Sequence, residues 1–195
     1  MVAEGNGVLP CNITLTEALV IDKEVTIDLN GYTITGGLFA ESNGEMTEGT
    51  TDSYAFWVKK GGKLTINGEG YVKSQAAAYS MAVWADGGEV IINGGTFENA
   101  GDGCDLIYAK NGGKVTITNG IFKATHNTGA EPGTRNEYSA LNLNDKTSGN
   151  EIIVSGGKFF KFDPSNNMSE NPKENFVADG YKVVVDGDYY VVVPE

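Results

Sequence analysis

The side chains best placed to carry chemistry in this chain are carboxylates. Asp28, Glu69, Glu89, Glu98 and Asp105 sit in or beside short β-prone runs, and glycoside hydrolysis needs two carboxyl groups facing each other across the bond to be cut. None of the five shows a pairing beyond what twenty-six acids supply by chance. They are expected as solvated polar positions on strands. Elimination chemistry on an acidic sugar would need clustered carboxylates for calcium and a basic residue placed as the base. The single arginine, Arg135, lies in a polar insertion, and no Asp cluster recurs along the chain. His126 has no Cys or His partner at metal-ligand spacing. Pairs of glycines precede strand-like runs, so no helix N-terminus is available to cradle a phosphate. The expectation is therefore no catalytic residue, no metal and no cofactor: a protein that is not an enzyme.

Binding is the remaining chemistry, and it rests on aromatic and loop residues. Trp57 and Trp84 are the two tryptophans. Facing outward they would form an apolar platform for a sugar ring; facing inward each would bury about 150–250 Å² in the core. With His126, Arg135 and Tyr190 they are the candidate contacts for a glycan or a protein partner.

The elements that must position these residues are copies of one repeat. Gly87-Gly88-Glu89-Val90-Ile91-Ile92-Asn93-Gly94-Gly95-Thr96-Phe97 is followed by Gly112-Gly113-Lys114-Val115-Thr116-Ile117-Thr118-Asn119-Gly120-Ile121-Phe122. Related runs begin at Glu24, Gly61 and Glu151. Aligned on Val25, Leu64, Val90, Val115 and Ile152, each copy has an apolar residue two places on and an aromatic seven places on: Tyr32, Tyr71, Phe97, Phe122 and Phe159. Alternate apolar positions mark a strand with one buried face. The Asn/Gly corner that follows redirects the chain, because both residues tolerate positive φ. A second short strand carries the aromatic, and a third apolar segment lies upstream, at 54–58, 81–85, 106–109 and 140–143. The tryptophans lie at different offsets in this alignment, so they need not share a face.

A repeat of this kind cannot bury its apolar face alone, and neighbours must stack to build a core. The fold class predicted is all-β: a right-handed single-stranded parallel β-helix, a solenoid of about five to six coils, with a C-terminal β-hairpin cap. The alternative, an antiparallel sandwich, accounts for the strands but not for the constant aromatic offset. One domain spans 1–195, with an irregular lead-in and cap over 1–23, coils over 24–162, and a terminal loop and hairpin over 163–195.

The connections after the aromatic strands vary in length: 36–53, 75–79, 99–104, 124–137 and 163–175. All leave at the same point of the repeat, so stacking gathers them along one edge and leaves the other two faces plain. Such an edge is often the binding face of a solenoid, although loop closure is cheap enough for insertions to be merely tolerated. Lys182-Val183-Val184-Val185-Asp186-Gly187-Asp188-Tyr189-Tyr190-Val191-Val192-Val193 is a hairpin signal centred on Asp-Gly. It is expected to close the end of the core; the alternative use of the uncharged run 189–193 is pairing with another subunit.

A formal charge of −12 excludes a basic track for nucleic acid and disfavours anionic membrane surfaces. No apolar run approaches the ~18 residues needed to span a bilayer. The first residues lack a basic start and an apolar core, so no signal peptide is expected. Cys11 and Cys104 fall on different coils and are expected as free thiols.

The run from Ile21 to Ile34, Ile-Asp-Lys-Glu-Val-Thr-Ile-Asp-Leu-Asn-Gly-Tyr-Thr-Ile, resembles the opening coil of pectin-lyase-like β-helices found in gut bacteria and their phages. The Gly-Gly-Lys-Val-Thr-Ile and Gly-Gly-Thr-Phe units are similar to the coils that follow it there, and 162–166 with 175–181 resemble the terminal coil and cap. The resemblance covers about 12–195. It implies a bacteriophage virion component, such as a head fibre, capsid decoration or tail-fibre domain, or a bacterial surface protein. Partners would then be other virion proteins or further copies of the chain, for instance in a trimer, and a host surface glycan. Assembly into the virion would follow synthesis in the bacterial cytoplasm. A carbohydrate-binding module on the cell surface and a polysaccharide depolymerase are the alternatives; the catalytic groups of enzymatic relatives map onto no position here.

Overall fold

The computed structural model describes residues 5–39, 51–77, 79–99, 105–124, 140–168 and 173–195. It is all-β, with no helix among the described residues. Three sheets dominate, and each takes one strand from each successive repeat. The first sheet runs Asn6–Val8, Glu24–Asp28, Lys63–Asn67, Glu89–Ile92, Lys114–Ile117 and Glu151–Val154. The second begins with Ile13–Thr14, Thr33–Thr35, Tyr71–Lys73, Thr96–Glu98, Ile121–Lys123 and Lys158–Phe160. The third holds Leu19–Ile21, Asp52–Lys59, Tyr79–Asp86, Ile107–Lys110 and Leu141–Leu143. Every pairing among these strands is parallel.

Register follows the repeat in the first sheet. Val25, Leu64, Val90, Val115 and Ile152 are successive partners, as are Ile27, Ile66, Ile92, Ile117 and Val154. All ten are buried, because alternation directs one set of side chains inward and the next outward. The outward set forms an alternating charge column: Lys63 Nζ lies 3.8 Å from Glu24 and 3.9 Å from Glu89, and Lys114 lies 3.6 Å from Glu151. Each exposed pair is worth about 0–1 kcal/mol.

The aromatic column needs correction. Phe97, Phe122 and Phe159 are partners and stack at 5.1 and 4.8 Å between ring centroids. Tyr71, however, pairs with Thr96 and is 41% exposed, while Val72 pairs with Phe97. Ile34 continues that column in the first repeat, and Tyr32 lies half-buried in the corner before it. The cause is corner length. Nine residues separate Val25 from Ile34, eight separate Leu64 from Val72, and seven separate the later pairs. The early corners are longer, and Leu29 fills the inside of the first with a fully buried side chain.

Three further departures have local causes. Residues 6–8 are not irregular: they form the edge strand of the first sheet, paired with Thr26–Asp28. The 36–53 insertion contributes Gly37–Phe39, which pairs antiparallel with Asp52–Tyr54. The junction of the third and first sheets is not uniformly plain, because 144–150 form a loop. There Asn144 Oδ1 accepts from the Lys146 and Thr147 amides, and Asn150 Nδ2 donates to the Asn144 carbonyl.

The C-terminal hairpin is present. Tyr181–Asp186 and Tyr189–Pro194 pair antiparallel, and the latter adds to Lys158–Phe160. Tyr189–Pro194 is thus an interior strand of the second sheet, and Val192 is buried in the core. Among the described residues Cys11 is a free, exposed thiol; Cys104 lies outside them, and no helix is long and apolar enough to cross a membrane.

The corrected column gives a stability prediction. Phe122→Ala should cost about 3–5 kcal/mol by urea denaturation, and Tyr71→Ala, its counterpart in the sequence alignment but outside the column, should change stability by less than about 0.5 kcal/mol. Equal losses would mean that Tyr71 belongs to the buried column after all.

Candidate functional site

The face that gathers the most chemistry is the outer side of the third sheet. Val20, Trp57, Trp84, Tyr108 and Asn142 are successive register partners there. The tryptophans therefore do share a face. Their offsets differ because Lys59-Lys60-Gly61-Gly62 turns the corner into one strand and the shorter Asp86-Gly87-Gly88 turns it into the next, while Lys59 and Asp86 stay in register. The indoles stack with centroids 5.1 Å apart and planes within 1°, and Tyr54 meets Trp84 edge-on at 5.6 Å.

These rings belong to a second apolar cluster, separate from the main core: Ala18, Tyr54, Met81, Trp84 and Tyr108, with Trp57 against it. An irregularity in the strand produces it. The amides of Ala82 and Val83 both donate to the Leu106 carbonyl (2.9 and 3.2 Å), as in a β-bulge. Ala82 and Val83 thus both join the main core, and Met81 and Trp84 both join the outer cluster. Trp84 is 1% exposed, whereas Trp57 is half-buried at the rim of the column. The answer to inward or outward is neither simple alternative: one buried ring supports one accessible ring.

Polar groups surround this stack. Trp57 Nε1 donates to Asp86 Oδ2 (2.9 Å), Asn111 Nδ2 donates to Asp86 Oδ1 (2.7 Å), and Lys59 Nζ lies 3.8 Å from a Trp57 ring centroid. At the other end of the strands, next to the long connections, the Tyr54 hydroxyl donates to buried Asp52 (3.2 Å). Asn142 Nδ2 donates to Asp105, and Asn144 Nδ2 to the Tyr108 hydroxyl. Trp84 Nε1 is buried without an acceptor, an arrangement that costs about 1–3 kcal/mol. With Trp84 stacked against it and Lys59 over its ring, Trp57 offers a partner its remaining exposed surface, beside the charged groups of Lys59 and Asp86.

The other residues singled out by sequence do not converge on it. His126 and Arg135 lie outside the described residues. Tyr190 is half-buried, pairs with Phe159 and packs on the main core. Asp28 accepts from the Asn30 amide in a corner (2.9 Å). Glu89 and Glu98 are ion-paired to lysines on neighbouring strands, Glu98 at 2.8 Å to Lys73 and 3.8 Å to Lys123. Among the described residues no three His, Cys, Asp or Glu side chains come together as a metal site would require. Sequence reasoning missed Asp52, Asp86 and the Tyr54–Tyr108 surround. Asp86 was detectable, since it stands two places after Trp84 as Lys59 does after Trp57. Comparison of the chain with protein-family models, with curated proteins and with solved structures finds no match in any of the three.

Burial predicts how the two indoles differ. Trp84→Ala should lose about 3–5 kcal/mol, and Trp57→Ala clearly less. Trp84→Phe, which removes the unpartnered N–H, should stay within about 1.5 kcal/mol of the parent. Calorimetric melting of the three variants checks this, and a Trp84→Phe loss as large as that of Trp84→Ala would point to a hydrogen bond that the indole does make.

Proposed function

We propose that the three sheets are the walls of a right-handed parallel β-helix of five to six coils, and that this rod is a non-enzymatic structural and binding protein. Parallel in-register pairing of every repeat supports the first part, and crossovers between parallel strands are right-handed in about 98% of cases. The virion component reading, a head fibre, capsid decoration or tail-fibre domain, is the one we favour within that class. Its partners would be neighbouring virion proteins, other copies of the chain, and a glycan on the host surface.

One observation carries the binding role. The connections at 36–51 and 124–140 both join a second-sheet strand to a third-sheet strand, and the shorter ones at 74–78 and 99–106 leave at the same corner. The connections at 36–51 and 74–78 lead into the strands that bear Trp57 and Trp84, so elements of variable length and an aromatic surface belong to the same sheet of one support. Non-catalysis is favoured by how the outward carboxylates are used: Glu24, Glu89, Glu98 and Glu151 bind lysines of adjacent strands, which serves stacking and leaves no facing acid pair among them.

An antibody raised against the purified chain, applied to electron-microscope grids of phage particles and of cells from the culture that encodes it, should decorate particles. Light scattering should show a defined oligomer. A monomer that labels neither particles nor cell surfaces overturns the proposal; labelling of cells alone favours a bacterial surface module. New reducing ends or unsaturated uronates released from capsular polysaccharide would make it a depolymerase.

A further inference from the structure

We propose that the corner between the first and second sheets is a second binding site, a groove that holds a neutral oligosaccharide lying along the stack of repeats. It is at a different corner from the tryptophans and does not rest on the reading above. The groove has a volume of about 640 Å³ and runs from Gly31 in the first repeat to Lys158 in the fifth. Four strand-to-strand steps at about 4.8 Å make it roughly 19 Å long.

The floor is glycine backbone, and at Gly70 and Gly94 stacking leaves no room for a side chain. A Cβ on Gly70 would sit 2.3 Å from the Tyr32 carbonyl oxygen, and one on Gly94 would sit 2.7 Å from that of Gly68. One wall is the in-register column Tyr71, Thr96, Ile121 and Lys158, on the outer face of the second sheet. On the first-sheet side stand Asn93 and Asn119, with Glu69 in the corner. Asn93 is held by its neighbours: it donates to Asn67 Oδ1 (2.9 Å) and accepts from the Thr118 hydroxyl (2.8 Å).

Unused hydrogen-bonding capacity is concentrated here. Most outward glutamates of the sheets are ion-paired, but the Glu69 carboxylate has neither ion pair nor hydrogen bond among the described residues; only its backbone carbonyl is used, by the Gly31 amide. Asn119 spends its Oδ1 on the Gly120 amide (2.9 Å), and its Nδ2 has no partner there. The Tyr71 ring is exposed, with Lys73 Nζ 4.6 Å from its centroid. A ring to stack on, a carboxylate and a carboxamide to bond vicinal hydroxyls, and a floor without side chains suit a linear sugar. Other ligands fit less well. A polyanion meets a chain of net charge −12. An extended peptide finds no strand edge to join, because the groove crosses the strands and does not run beside one.

The test is titration calorimetry of the full chain with cellotetraose, mannotetraose, xylotetraose and maltotetraose, and with tetragalacturonate as the anionic control. At least one neutral tetrasaccharide should bind saturably, and tetragalacturonate at least tenfold more weakly. Tyr71→Ala and Glu69→Gln should each weaken binding by about tenfold. Thr96→Arg, which fills the groove from an outward position, should abolish it, and Lys146→Ala, at an exposed position outside the groove, should leave it unchanged. Glu69→Gln alters one exposed group, so it separates a lost contact from a lost fold, and melting curves confirm folding of the others. No binding of any neutral tetrasaccharide overturns the proposal, as does binding that survives Thr96→Arg. Loss on Trp57→Ala with the groove variants silent would move the site to the tryptophan face and overturns it equally.

Discussion

Each strand in the body of this protein hydrogen-bonds to its own counterpart in the repeats before and after it, about 4.8 Å away. A side chain in any column must therefore tolerate a close copy of its own position on both sides. Inward columns meet that demand with Val, Leu and Ile, which tile well against themselves on a pleated surface. Outward columns meet it with alternating sign: Glu24, Lys63 and Glu89 on one sheet, Lys73, Glu98 and Lys123 on another. Identical charges at that spacing would repel. Corners meet it with glycine, because a methyl group on Gly113 or Gly156 would fall 2.0 Å from a carbonyl oxygen of the repeat beneath. Composition, charge pattern and glycine content are three consequences of one spacing.

What the sequence disclosed follows from the same rule. Five of the six strands of the first sheet were legible, since Val25 to Ile152 and Ile27 to Val154 recur at a fixed separation within a strand, where one residue always advances one position. Corners do not share that rigidity. A corner can gain or lose a residue while the strands on either side stay paired, so any alignment carried across it loses register. Tyr32 and Tyr71 were aligned with Phe97 across such a corner; Tyr71 proved to be one position off the buried column and Tyr32 two. Trp57 and Trp84 erred the opposite way: they looked misaligned because Lys60 lengthens one corner, and they are true partners. The strand at 6–8 was invisible because Asn6-Gly7-Val8 has no apolar alternation and owes its order to the neighbouring strand at 24–28.

The candidate site was half legible for a related reason. Tryptophan announces itself in any sequence, but which side of a strand it takes depends on the count of residues from a reference point. The extra residue at Ala82–Val83 shifts that count inside the strand itself. Asp105 is a buried acid whose partner Asn142 comes from a later strand, and Asp52, though bonded by Tyr54 two residues on, owes its burial to the neighbouring strands. No local pattern encodes them. Insertions were easier to place, because extra length reveals itself whatever its conformation, and their common point of departure needed only the order of strands.

The stacking rule also bears on how a protein of stacked repeats can change. Because each repeat touches only its neighbours, a change in an outward column or in a connection is felt locally and leaves the inward columns intact. Three separate surfaces can then diverge on one support: the outer face of the third sheet with its tryptophans and the connections that lead into it, the glycine corner between the other two sheets, and the charged ladders. The glycine corner is the most constrained of the three, since Gly70 and Gly94 on its floor cannot gain a side chain without displacing the neighbouring repeat. Whatever it recognises must therefore be determined by the rim, by Tyr71, Glu69, Asn119 and Lys158, and not by the floor. Specificity on the tryptophan edge is free to change through loop length, whereas in the corner it can change only one rim residue at a time.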